Sequence, residues 1–137
     1  MVAVEDRAGQ LIAVVDDDES IREATTSLLR SNRFPAEAFS SAEEFLNSPS
    51  LVSTKCLLLD IGMPGMNGLE LPRRLAGAGG RFPIIFITAR DEPEIRLVAM
   101  RTGAVAFLAK PFSGSGLMKA ISDALKPQPN ENYDYSN

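Results

Sequence analysis

The 137-residue chain contains no histidine. That absence excludes Ser-His and Cys-His nucleophilic catalysis, imidazole metal ligation and any phosphate carrier that is itself a histidine. Cysteine is nearly as scarce. The one thiol, Cys56, lies in the apolar stretch "KCLLLD", so no disulfide can form within the chain and nothing implies an oxidising compartment. A buried strand is its expected place. A basic excess is missing too: 14 Lys and Arg face 18 Asp and Glu, and the net charge of -4 gives no general attraction to nucleic acid or an anionic membrane. No apolar run approaches the roughly 18 residues of a membrane span. The opening "MVAVEDRAGQ" carries acids where a secretory signal would be cationic and then apolar. The expectation is a cytoplasmic protein with no direct nucleic-acid binding and no membrane contact, whose chemistry uses oxygen and amine groups.

What is present is the length of one domain and five strand-sized apolar runs: "LIAVV" (11–15), "PAEAF" (35–39), "KCLLL" (55–59), "PIIFI" (83–87) and "AVAFL" (104–108). Helical patterns separate them. Ile21, Ala24, Leu28 and Leu29 recur at helical spacing; Ser41 with Glu44 and Asn67 with Glu70 read as capping boxes for a second and a third helix. Residues 92–102 and 115–126 supply a fourth and a fifth, the last with Leu117, Ile121 and Leu125 on one stripe. Strands alternating with helices predict an α/β fold, (βα)5 with a doubly wound parallel sheet, in which the second run is an edge. Pro72 disturbs the third helix, and "SGSG" at 113–116 is a poor start for the fifth. The expected organisation is an N-terminal extension over 1–9, the domain over 10–126 and a polar tail over 127–137.

Polar residues fall at the carboxyl ends of four strands: Asp16 and Asp17 after the first, Asp60 after the third, Thr88 after the fourth and Lys110 shortly after the fifth. Ligands of open α/β sheets bind outside those ends, where the winding reverses. If the order is 2-1-3-4-5, the first and third strands are neighbours about 4.8 Å apart, and their acids meet. Carboxylates about 4 Å apart repel by roughly 4 kcal/mol at an effective dielectric near 20, so such a cluster calls for a cation. Oxygen-only ligands suit a hard divalent ion, Mg²⁺ before Mn²⁺ or Ca²⁺. Lys110 adds a point charge and Thr88 a hydroxyl, which together describe a pocket for a phosphoryl dianion with a carboxylate at hand as nucleophile. Asp18, next to the paired acids, suits the start of the first helix.

The segments "VVDDDES", "LLLDIGMPGMNGLEL", "PIIFITAR" and "GAVAFLAKPF" resemble the receiver domain of two-component response regulators, the CheY-like fold of the flavodoxin-like class, over residues 10–126. Within that family the chain is most similar to receivers of the FixJ type, which precede a helix-turn-helix output domain. The resemblance implies that Asp60 is the phosphoacceptor, charged by a sensor histidine kinase or a histidine phosphotransfer protein. It also implies Mg²⁺ held by Asp17, Asp60 and the Gly62 carbonyl, with Asp16 acting through water. Lys110 would pair with the phosphate from a cis Lys110-Pro111 peptide, and Thr88 and Phe107 would be the switch hydroxyl and switch aromatic. Gly62 and Arg90 take the two positions that tune phosphate lifetime. A downstream effector, or a second copy, would use the face of the fourth helix, fifth strand and fifth helix. Such a protein is a switch that catalyses only its own phosphorylation and dephosphorylation.

Two other readings fit part of the pattern. "VVDDDES" also matches a small haloacid-dehalogenase-type phosphatase with Asp16 as nucleophile and Asp18 as acid/base, although Asp60 would then be idle and no acidic pair follows Lys110. A degenerate binding module that never carries phosphate is the other. The full set of pocket residues counts against it.

Overall fold

Runs of Val, Ile and Leu make strands that need cover on both faces. In the computed structural model, which describes residues 7–61, 71–78, 82–89, 93–101 and 104–126, each of the five runs becomes one. They are β1 (Leu11–Val15), β2 (Ala36–Phe39), β3 (Thr54–Asp60), β4 (Ile84–Thr88) and β5 (Ala106–Ala109). All pairings are parallel in the order β2-β1-β3-β4-β5, as expected, with β2 at an edge. Asp60 and Thr88 close their strands rather than following them. The ladder runs on past both: Ile61 N–H donates to the Ile87 carbonyl at 2.9 Å, and Lys110 N–H to the Thr88 carbonyl at 2.7 Å. β5 starts two residues later than the apolar run suggested, leaving Val105 exposed at its foot.

Alternation along the strands sorts the core into two layers. Ala13, Val15, Leu57, Leu59, Ile84 and Phe86 face one way, against Phe45 and Leu75. Ile12, Val14, Leu58, Ile85 and Ile87 face the other, against Leu29, Leu117 and Ile121. The helices that supply these partners are α1 (Glu19–Ser31), α2 (Ala42–Leu46), α3 (Leu71–Ala78) and α5 (Gly114–Leu125); α4 (Pro93–Arg101) lies beside β5. Among the described residues no helix is long and apolar enough to cross a membrane.

Several helix ends differ from the sequence pattern, each for a local reason. The buried face of α1 is Thr25, Thr26 and Leu29, while Ala24 is exposed. Thr26 tolerates burial because its hydroxyl donates to the Arg22 carbonyl at 2.8 Å. At Ser41 only half of the capping box forms: Ser41 Oγ accepts from Glu44 N–H at 3.1 Å, but the Glu44 carboxylate takes the hydroxyl of Ser40 instead. A 3₁₀ turn over Pro49–Ser53, capped by Ser48, has no counterpart in the apolar pattern. The glycines of "SGSG" do not prevent α5 from starting at Gly114, because Ser113 Oγ accepts from Gly116 N–H at 2.9 Å. A Cβ at Gly116 would sit 2.9 Å from that oxygen, so the glycine leaves room for the cap. The Asn67-Glu70 box and the polar tail lie outside the described residues. Arg7, in the stretch read as an extension, donates to the Asn32 carbonyl at 2.7 Å and stacks over Phe34.

Candidate functional site

The alternation that sorts the core also decides which polar residues meet. Asp16 follows Ile12 and Val14, Asp60 follows Cys56 and Leu58, and Lys110 follows Ala106 and Leu108, so all three continue the layer covered by α1 and α5. There the Lys110 ammonium lies 2.9 Å from Asp16 Oδ2 and 3.6 Å from Asp60 Oδ2. One carboxylate oxygen from each of Asp16, Asp17 and Asp60 falls within 4.8 Å of the others. The Lys110-Pro111 peptide is cis, as the resemblance implied.

The three aspartates of "VVDDDES" differ in what holds them. Asp16 is buried; its Oδ1 accepts from Asp18 N–H at 2.9 Å, its Oδ2 from Lys110. Asp17 is exposed. Asp18 turns away as the N-cap of α1, accepting from Ile21 N–H at 3.2 Å, where a negative charge suits the helix dipole.

Burial pushes the Asp60 carboxyl up to about 6, and the charges of Asp16 and Asp17 add to the shift while Lys110 opposes it. For Lys110, burial works to lower the ammonium, but its hydrogen bond to Asp16 and the charges of Asp60 and Asp16 outweigh that and hold it above its ordinary value. Three carboxylates against one ammonium leave a deficit of positive charge. An all-oxygen set in a raised-carboxylate environment fits a hard divalent cation.

Thr88 is buried and continues the opposite layer, after Ile84 and Phe86. Phe107 is half-buried against that same layer and pairs with Phe86 across the β4-β5 ladder. The switch pair of the resemblance therefore shares one face of the sheet. Arg96 of α4 stands 4.8 Å over the Phe107 ring. Gly62 and Arg90 lie outside the described residues.

Next to Lys110 the surface opens into a groove of about 680 Å³, bounded by Ile21, Ala24 and Leu28 of α1 and by Ala89, Pro111 and Phe112. Cys56 is remote from this chemistry: it is fully buried in β3, and burial pushes its thiol up to about 12. Two contacts near the site are absent from the sequence pattern. Arg22 donates to the Asp16 carbonyl at 2.9 Å, and Arg96 covers Phe107. The position of Arg22 one turn into a helix that starts beside the acids is the only sequence signal for either.

The doubly wound sheet and the acid-lysine cluster at its carboxyl edge are those of a response regulator receiver. The profile of the response regulator receiver domain matches residues 12–122, and the chain belongs to that family. It is 43% identical over 124 residues to response regulator protein TmoT of Ectopseudomonas mendocina, covering 89% of this chain and 56% of that protein. To the transcriptional regulatory protein FixJ of Bradyrhizobium diazoefficiens it is 36% identical over 115 residues, covering 84% and 56%. The chain thus spans about half the length of the curated relatives it matches. Among solved structures, response regulator StyR superposes with a TM-score of 0.76 at 42% identity, over 85% of this chain and 59% of that one. The FixJ-N structure does so with a TM-score of 0.77 at 32% identity, over 88% and 97%. Receiver domains are signalling switches rather than classical enzymes. The phosphatase reading loses its support: Asp16 has both carboxylate oxygens engaged, and Asp18, its intended acid/base, caps a helix.

Proposed function

We propose that this receiver takes a phosphoryl group onto Asp60 from a sensor histidine kinase, a histidine phosphotransfer protein or a small acyl phosphate. The observation that carries the reading is the Lys110 ammonium set between Asp16 and Asp60 with Asp17 within reach. An Asp60 oxygen attacks phosphorus in line while the P–N or P–O bond to the donor breaks, its electron pair leaving with the donor. Lys110 is placed to offset charge on the equatorial oxygens. Mg²⁺ held by Asp17, Asp60 and the Gly62 carbonyl, with Asp16 through water, would neutralise the carboxylates and the incoming phosphoryl oxygens. The apolar groove beside Lys110 offers a protein donor a seat from which its phosphoryl group can reach Asp60.

After transfer, Thr88 turns toward the new dianion and Phe107 packs behind it, biasing the face of α4, β5 and α5. Exposed Leu97 and Met100 on α4 and Val105 before β5 suit that face to a downstream effector or a second copy. The switch catalyses its own phosphorylation and dephosphorylation only. From their places in the motifs we assign Gly62 and Arg90 to tuning phosphate lifetime, since a glycine has no side chain to exclude water and an arginine can pair with phosphoryl oxygens. Phosphate loss from Gly62→Asn and Arg90→Ala checks that pair of roles, and unchanged rates in both count against them. We place the domain at 10–126 between an extension and a polar tail, in the cytoplasm; its acidic balance argues against direct contact with nucleic acid.

Beryllofluoride, a mimic of the bound phosphoryl group, tests the assignment. With Mg²⁺ it should perturb the NMR signals of residues around Asp60, and Asp60→Asn should abolish the response. A response that survives in Asp60→Asn and disappears in Asp16→Asn would restore the phosphatase reading.

A further inference from the structure

Asp16 and Asp17 flank one peptide bond, and Asp16, which supplies its carbonyl, is held through both of its main-chain groups. The Asp16 N–H donates to the Phe39 carbonyl at 3.1 Å, continuing the β1-β2 ladder. The Asp16 carbonyl accepts from Arg22 Nη1 at 2.9 Å. Arg22 is half-buried and is itself anchored, its N–H donating to the Asp18 carbonyl at 2.9 Å and its carbonyl accepting from the Thr26 hydroxyl. Because the peptide unit is planar, fixing its oxygen fixes the direction in which the chain leaves for Asp17. The Asp16 carboxylate has two anchors of its own, Asp18 N–H and Lys110. Asp17 is exposed, so its aim depends on the peptide that Arg22 holds.

We propose that Arg22 is a positioning residue for the divalent cation: it sets the Asp16-Asp17 peptide plane so that the Asp17 carboxylate faces Asp60. The proposal rests on the reading of Asp16, Asp17 and Asp60 as the acids around the ion. Charge and position predict opposite signs. Arg22 is a cation beside a cation site, so if it acted through its charge alone, removing it would tighten binding. If it acts by position, removing it loosens binding.

The test is Mg²⁺ affinity by isothermal titration, with Mn²⁺ electron paramagnetic resonance as a second probe, on wild type, Arg22→Met, Arg22→Lys and Asp17→Asn. Arg22→Met should weaken binding about tenfold, the size of effect that residues orienting metal ligands give. Arg22→Lys keeps a donor and should recover part of the loss. Metal-free melting of each variant separates a damaged fold from a misaimed ligand. Unchanged or tighter binding in folded Arg22→Met would overturn the proposal while leaving the cation site intact. Equal affinities in wild type and Asp17→Asn would overturn the ligand assignment and this proposal with it.

Discussion

To attack phosphorus as proposed, Asp60 must be ionised, and its surroundings resist that. Its carboxyl is pushed up to about 6 from an ordinary 3.8 by burial and by Asp16 and Asp17. Between those two values the folded protein keeps a proton that the unfolded chain releases, so the metal-free domain loses stability as pH rises through that window. Above it the cost stays roughly constant, on the order of 1–3 kcal/mol. Asp60→Asn removes the charge. Urea unfolding without metal should find the variant more stable than wild type near pH 7 by about that amount, with the gap closing below pH about 4. A variant less stable at pH 7 would show that Asp60 is not under this strain. At this scale the sequence was legible wherever a residue's place follows from its strand end, as with Asp16, Asp60 and Lys110. It was silent on Arg22 and Arg96, whose partners are a main-chain carbonyl and a ring in other elements.

Helix α1 starts just after the paired acids and ends in a tight stop. Arg33 N–H donates to the Arg30 carbonyl and Phe34 N–H to the Leu29 carbonyl, both at 3.0 Å, which is the double bond pattern of a Schellman ending. Phe34 and Leu29 are both buried in the layer that α1 covers, completing the motif with an apolar contact. The pattern requires a left-handed residue between them, and that residue is Arg33, with φ 69°. Glycine adopts that conformation without the Cβ penalty. Arg33→Gly should therefore stabilise the domain by about 0.5–1 kcal/mol in thermal or urea unfolding; a loss of stability would show that the Arg33 side chain contributes more than its backbone costs. Here the sequence was less explicit, since Arg33 is not a residue that helix ends favour, and the glycines of "SGSG" obscured Ser113, a favoured N-cap. Both ends are set by hydrogen bonds that composition does not report: a main-chain pair at Arg33 and the Ser113 hydroxyl at Gly116.

For the molecule as a whole, the parallel sheet was legible in five apolar runs separated by helical patterns, and its strand order through the resemblance of the motifs to receiver domains. The reversal between β1 and β3 then brings acids 16, 17 and 60 together, although 43 positions separate Asp17 from Asp60 in the chain. Less legible was the division of the carboxyl edge into two sides. Asp16, Asp60 and Lys110 belong to the α1-α5 layer, and Thr88 and Phe107 to the other, so phosphoryl chemistry on one side would be read out through Thr88 to a ring on the far side. That readout depends on Asp60 carrying the phosphate. The direct test is to incubate the protein with Mg²⁺ and acetyl phosphate, reduce the acyl phosphate with borohydride, and map the resulting homoserine by mass spectrometry. The account predicts homoserine at position 60 alone, dependent on Mg²⁺ and absent without the phosphodonor; homoserine at position 16, or at neither position, would contradict it.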